Sequence, residues 1–327
     1  MRDIVVLHAV WTGLLDVLDF LRAQGLDFHT IPYPLIDIAA LNGRVNIIVF
    51  LQSLGQPYKG CTTLAMDLAA RSGHLSTVQY LHEHRQEGCS VWAMNGAAEN
   101  GHADVVEFLH RHRVDDCSLE WAMENAAADG HMKVVLYLHP HLEGSCSSRA
   151  MDSAARNGHL DMVQWLHFNR DDGCTTSAMD WAAGRGHLEI VEFLHSHRNE
   201  GCTRTAMDMA AAFGQLEAIQ WLHSHRSEGC TNYAMDDAAE NGHLEVVQWL
   251  HAHRPEGGTE RGLLQAAQEG HLDIVKFLVH NRQEGYLDVA LDHAIAAGQV
   301  DVVAFLQGII PTIRETQPWR IAAIHKQ

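Results

Sequence analysis

Three kinds of side chain in this sequence could do chemistry: thiols, imidazoles and carboxylates. Seven cysteines, Cys61, Cys89, Cys117, Cys146, Cys174, Cys202 and Cys230, offer nucleophiles, disulfides or zinc ligands. Much of the histidine falls in His-x-His pairs: His82/His84, His110/His112, His139/His141, His195/His197, His223/His225 and His251/His253. A cysteine stands five residues after the second histidine of most pairs, so one copy read alone looks like part of a zinc site. The third set is acidic: Asp37, Asp67, Asp152, Asp180, Asp208, Asp236 and Asp292, with Asn95 and Glu124 in register. Two carboxylates about 5 to 10 Å apart in a cleft would serve acid–base catalysis.

All three sets recur on one period, and the period decides how they are read. Eleven glycines mark it: Gly13, Gly43, Gly73, Gly101, Gly130, Gly158, Gly186, Gly214, Gly242, Gly270 and Gly298, spaced 30, 30, 28 and 29 residues apart and then 28 throughout. Seven residues after every glycine stands an aromatic, from Phe20 and Phe50 to Trp249, Phe277 and Phe305. The stretch from Thr231 to Gly258, TNYAMDDAAENGHLEVVQWLHAHRPEGG, shows the unit. A first helix centred on AMDDAA carries the small pair Ala238 and Ala239, which allows close approach of neighbours, and Met235, which fills irregular gaps. Gly242 closes it in a left-handed turn. The second helix, HLEVVQWLHAHR, has the period of a half-buried helix, with Leu244, Val247 and Leu250 at three-residue steps. Thr62, Ser90, Ser147, Thr175, Thr203, Thr231 and Thr259 precede the first helices as N-caps. One such unit is too small to bury its own apolar face, so units must stack. The expected fold is all-α: an elongated solenoid of eleven helix-turn-helix units.

Against that fold the reactive sets become framework. Helical residues two apart point roughly 200° away from each other, so the histidines of one pair cannot share a metal ion. Equivalent cysteines in stacked units lie about 10 Å apart, beyond the ~7 Å that a disulfide spans. They read as small loop residues tucked under the next unit. An odd number of such thiols fits a reducing compartment, placing the chain in the cytoplasm or nucleus. A carboxylate in nearly every unit reads as a structural ladder, each Asp accepting hydrogen bonds from the turn backbone of the adjacent unit. The histidines after the glycines (His74, His102, His131, His159, His187, His243, His271) are expected to bond backbone at the turn. Arg85/Glu87 and its repeats Arg198/Glu200, Arg226/Glu228 and Arg254/Glu256 read as a solvated face at the second helix's C-terminus.

These residues resemble a known family. AARSGHLSTVQYL (Ala69–Leu81) and AARNGHLDMVQWL (Ala154–Leu166) are similar to the core of the ankyrin repeat. The resemblance covers residues 34 to 308, and weakly from residue 5. Ankyrin repeats usually run longer and open with Thr-Pro-Leu-His; here the opening is x-Ala-Met-Asp. The loop between units is cut to forms such as EGCT, which argues against projecting β-hairpin fingers. The chain looks like the divergent ankyrin arrays abundant in protists and giant viruses. The resemblance implies a protein-interaction scaffold without catalysis of its own.

Composition narrows the partners. The 327 residues carry a net charge of −18, against sequence-independent binding to nucleic acid or anionic lipid. Protonation of all 25 histidines would carry the charge to +7. The chain has no run of 18 apolar residues, so no membrane span is expected. Asp3, Asp16 and Asp19 interrupt the apolar start, which reads as a divergent repeat rather than a signal peptide. There is no glycine-rich phosphate loop and no nucleophile elbow. The expectation is a non-enzyme and a monomer, with no metal and no cofactor.

Recognition is then expected in columns that vary between units. One lies two residues before the Met: Leu64, Trp92, Trp121, Arg149, Ser177, Thr205 and Tyr233. Another follows the acidic position and includes Trp181, Met209 and Asp237. Both are on the first helix, which in the ankyrin arrangement lines the concave side. Trp92, Trp121, Arg149, Trp181, Tyr233 and Asp237 form the candidate protein-binding patch, since Trp, Tyr and Arg dominate interface energetics. Packing of these aromatics against neighbouring loops is the other reading. The chain divides into divergent N-terminal capping repeats (1–60), a repeat array (61–308) and a tail or cap (309–327). The leading function is a scaffold that binds a protein on its concave helix surface. The alternative is a substrate adaptor for a ubiquitin ligase or similar complex.

Overall fold

The computed structural model describes residues 2–54, 61–113, 118–142 and 147–321. Among these residues lie twenty-two α-helices and no strand, two helices to each expected unit. The chain forms two compact blocks. One takes the residues up to Ala154 with Trp165–Gly173; the other takes Ala155–Gln164 and the residues from Cys174 on. The first block contains the pairs α1 (Arg2–Thr12) and α2 (Leu15–Ala23), α3 (Leu35–Leu41) and α4 (Val45–Ser53), α5 (Thr63–Arg71) and α6 (Leu75–His84), α7 (Val91–Glu99) and α8 (Ala103–His112), and α9 (Leu119–Ala128) and α10 (Met132–Leu138). The division runs through α11 (Arg149–Arg156) and α12 (Leu160–Asn169). The second block continues with α13 (Thr176–Gly184) and α14 (Leu188–His197), α15 (Arg204–Ala212) and α16 (Leu216–His225), α17 (Tyr233–Glu240) and α18 (Leu244–His253), α19 (Glu260–Glu269) and α20 (Leu272–Asn281), and α21 (Leu287–Ala296) and α22 (Val300–Thr316).

Within each block, helices pack in repeat order. First helices meet first helices (α3, α5, α7, α9; α13, α15, α17, α19, α21), and second helices meet second helices (α4, α6, α8, α10; α18, α20, α22). The first helices approach closely because their facing residues are small. In α5, Ala65, Ala69 and Ala70 are buried, with Met66 filling the remaining gap. The same pattern recurs at Ala93, Met94, Ala97 and Ala98 of α7 and at Ala234, Met235, Ala238 and Ala239 of α17.

In the second helices the buried stripe is shifted from the expected one. In α18 it is Val246, Val247 and Leu250, while Leu244 and Trp249 stay half-exposed. Positions i, i+1 and i+4 fall on one helical face, and Leu244 lies at its margin.

The local signals fold as expected. Thr62, Ser90, Thr175, Thr203 and Thr259 accept a hydrogen bond from the N–H two residues on. Ser147 and Thr231 do the same for Arg149 and Tyr233. Each such cap contributes about 1 kcal/mol. All eleven turn glycines are left-handed, with φ between 67° and 85°. The last helix, α22, runs through Pro311 past the end of the repeat pattern and buries Ile310 and Ile313. Among the described residues no helix is long and apolar enough to cross a membrane.

Candidate functional site

The acidic column forms joints between repeats. Asp208 Oδ1 accepts from the Thr231 backbone N–H at 2.7 Å, and Oδ2 accepts from the Thr231 hydroxyl at 2.8 Å. The Thr231 oxygen in turn accepts from the Tyr233 N–H at 3.2 Å. One carboxylate thus ties down the N-cap of the next repeat, and that cap starts the next first helix. Asp37 with Thr62, Asp67 with Ser90, Asp180 with Thr203 and Asp236 with Thr259 repeat the geometry. Glu124 takes the Ser147 hydroxyl alone. Asn95 holds the same register and is buried, but its Oδ1 has no hydrogen-bond partner. Burial pushes Asp37, Asp180 and Asp208 above the usual carboxylate range, against the pull of their threonine N–H and O–H. These carboxylates are committed to structure, as the sequence predicts, and the bonded group is the N-cap of the following repeat.

The histidines divide into three jobs. Those after the glycines reach back to the preceding repeat. His131 Nε2–H donates to the Glu99 carbonyl at 2.8 Å and His271 Nε2–H to the Glu240 carbonyl at 2.9 Å. Both acceptors are last-turn carbonyls of a first helix, which lack partners within the helix. Gln299 replaces histidine in the last repeat and bonds the Gln268 carbonyl at 2.8 Å.

In each His-x-His pair the two rings have different partners. In four pairs the second, His84, His197, His225 or His253, stacks on the aromatic of its own helix, as His253 does on Trp249 at 4.5 Å, and its Nδ1–H donates to that residue's carbonyl, at 2.8 Å for His253; His112 and His141 lie tilted against Phe108 and Tyr137. The first meets the aromatic of the following repeat edge-on: His223 with Trp249, His195 with Trp221, His82 with Phe108. Its Nδ1 also accepts from the arginine of that repeat, except in His110, whose Nδ1 meets the Tyr137 hydroxyl at 3.0 Å. Arg113 Nε reaches His82 at 3.1 Å, and Arg254 and Arg282 reach His223 and His251 at 3.3 Å. Burial, and then the adjacent arginine, pull His82 below the ordinary histidine range; burial and His141 do the same for His110.

The arginine–acid pairs are therefore not a solvated face. Arg85, Arg198, Arg226 and Arg254, 15% to 24% exposed, hold Glu87, Glu200, Glu228 and Glu256, which are 25% to 30% exposed. Arg170 and Asp172 are nearly buried, at 7% and 8%. The sequence shows two opposite charges two residues apart. It does not show that the arginine lies under the preceding repeat's loop, where a Cβ on Gly229 or Gly257 would strike it.

Cys89, Cys202 and Cys230 are buried, and Cys61 and Cys174 half-buried, in keeping with small loop residues tucked beneath the next repeat. Cys117 and Cys146 lie outside the described residues. Among the described residues no three His, Cys, Asp or Glu side chains are grouped to hold a metal ion.

The family model described as ankyrin repeats (3 copies) matches residues 151–236 and 235–314, and the one described as ankyrin repeats (many copies) matches residues 121–167. The chain belongs to the ankyrin repeat family. No curated protein matches it. Ankyrin repeats generally mediate protein–protein interaction and are generally non-catalytic. In this ankyrin protein the joints described above belong to the framework, and the variable columns of the first helices lie outside it.

Those two columns differ in exposure. The column two before the methionine faces outward. Trp92 is 67% exposed, Trp121 55% and Tyr233 56%, and the Arg149 side chain is 80% exposed with its Nε 3.9 Å from Glu124. Trp92 on α7 and Trp121 on α9 stand in neighbouring repeats of the first block. The column after the acidic position is half-buried at Trp181 and Asp237 and packs against neighbouring repeats. The Arg156 guanidinium covers the Trp181 ring at 4.2 Å. Asp237 pairs with Arg261 at 2.8 Å, and Arg261 also lies 5.8 Å from the Tyr233 ring centroid. Tyr233 and Asp237 are thus joined through Arg261, which the sequence reading left out. Arg261 occupies the outward column one repeat further on, where Leu263 replaces the methionine that marked the register.

Proposed function

We propose that this ankyrin array is a non-catalytic scaffold that binds a protein partner through the outward column of its first helices. Trp92, Trp121 and Arg149 serve in the first block. Tyr233 and Arg261 serve in the second, where Asp237 of the other column holds Arg261 and Trp181, half covered by Arg156, contributes less. The observation that carries the reading is the exposure of Trp92 and Trp121 in successive repeats. Large aromatics held outward on a preformed helical surface lose little side-chain freedom on binding and give large contact area. The test is affinity capture from an extract of the native cell with the intact chain as bait. Trp92→Ala and Trp121→Ala should each weaken the captured partner by about 2 kcal/mol, as hot-spot residues do, and leave the urea midpoint unchanged. A partner retained by both variants would remove the reading.

A further inference from the structure

Four side chains on the first helices of the second block alternate cation and ring. The Arg156 guanidinium lies 4.2 Å from the Trp181 ring centroid, and the Arg185 guanidinium 6.0 Å from the Phe213 ring centroid. Trp181 and Arg185 stand four residues apart at the end of α13, so they are neighbours on one helical face. The order Arg156, Trp181, Arg185, Phe213 thus passes from the end of α11 through α13 to the end of α15.

The row is accessible. Arg156 and Arg185 are exposed, and Phe213 is 48% exposed. The outward column carries only Ser177 and Thr205 in these repeats, where Trp92, Trp121 and Tyr233 stand in others. Among the described residues neither guanidinium has a carboxylate partner; their contacts are the two rings. The acids of α13 and α15 are Asp180 and Asp208, and both are committed to the N-cap of the next repeat. Arg261, further along the block, shows what an arginine of a first helix does when acids are in reach: it pairs with Asp237 at 2.8 Å and Glu240 at 2.6 Å.

A guanidinium stacked on a ring uses its flat face and keeps its N–H edge, and that edge matches a carboxylate with two donors to two oxygens. The ring also restrains the side chain, so less freedom is lost when an acid binds. Adjacent repeats stack about 10 Å apart, a distance that three residues of an extended segment span at about 3.3 Å each. We infer that Arg156, Trp181, Arg185 and Phe213 form a docking row for an acidic segment of a partner protein, each guanidinium edge gripping one Asp or Glu carboxylate and the rings holding the guanidinium groups in place. The net charge of −18 opposes nucleic acid as the occupant. The inference rests on the scaffold reading only in taking the occupant to be a protein; the row is separate from Trp92 and Trp121, so the capture experiment above and the titration below fail independently.

The test is calorimetric titration of the full chain with a synthetic peptide, acetylated and amidated, carrying three glutamates at three-residue spacing between glycines. About 0.1 M salt screens the distant acidic surface beyond ~10 Å and leaves close pairs. The glutamate peptide should bind saturably, and the same peptide with glutamine should not. Arg156→Gln and Arg185→Gln should each weaken binding about tenfold. Arg156→Lys keeps the charge but loses the fork, and should also weaken it. Lys133→Gln, which removes a charge from an exposed position on α10, should leave it unchanged. Circular dichroism confirms the fold of each variant. Absence of saturation by the glutamate peptide, equal binding of the glutamine peptide, tighter binding of oligothymidylate, or unchanged affinity in both Arg→Gln variants would overturn the inference.

Discussion

Burial raises the Cys61, Cys202 and Cys230 thiols to about 11, with nearby glutamates adding to the rise and the arginine of the following repeat opposing it. At pH 8 about one such thiol in a thousand is thiolate, against about one in four for an ordinary cysteine. Iodoacetamide at that pH should therefore label Cys202 and Cys230 about a hundredfold more slowly in the folded chain than in urea. Mass spectrometry after timed quenching measures this, and equal rates would contradict the burial argument. His82 carries a second residue-scale prediction. Its folded pKa is lowered, so the unfolded chain takes up the proton more readily. Its contribution is fully present above the ordinary histidine pKa of about 6.5 and is lost as pH falls below that value and through the lowered folded one. His110 has the same sign. Urea midpoints at pH 7.5 and 5.5 should show a loss at the lower pH that His82→Phe reduces; an identical loss in the variant would place the effect elsewhere.

At the scale of the element, the turn between paired helices combines a backbone requirement with a packing requirement. Gly214 sits at φ 74°, and a Cβ there would stand 2.7 Å from the His243 ring of the next repeat. Gly298 has nearly the same φ, 73°, but nothing within 4 Å of an added Cβ. Alanine at either position suffers the left-handed strain, about 1–2 kcal/mol. Only Gly214→Ala must also displace a histidine ring. The two variants separate the effects: Gly214→Ala should lower the melting temperature more than Gly298→Ala, and equal losses would mean that the ring contact contributes nothing. The second helices show why their charged ends are not free surface. Arg254 bridges Glu256 in its own repeat and His223 in the one before, so its guanidinium belongs to the packing between repeats.

Across the molecule, contacts run between neighbouring repeats, and a column in the sequence becomes a row of joints in each block. This explains what could be read in advance. The glycine turn, the threonine cap and the Asp ladder use local or next-repeat chemistry, and their period shows directly in the sequence. The arginine–histidine–aromatic ladder was less legible. Its members sit 31 residues apart, as His223 and Arg254 do, and periodicity reveals that columns exist but not which columns touch. The exposure of Trp92 and the covering of Trp181 by Arg156 were undecidable for the same reason: both are large aromatics on a first helix.

Residues that resemble reactive groups are thus joints between repeats. A double-mutant cycle on Asp208→Ala and Thr231→Val by urea unfolding tests it most directly. The two side chains belong to successive repeats and meet at 2.8 Å. Each single variant should cost about 1–3 kcal/mol, and their coupling should be at least about 1 kcal/mol. A coupling indistinguishable from zero, with additive losses, would mean that Asp208 and Thr231 do not join the two repeats.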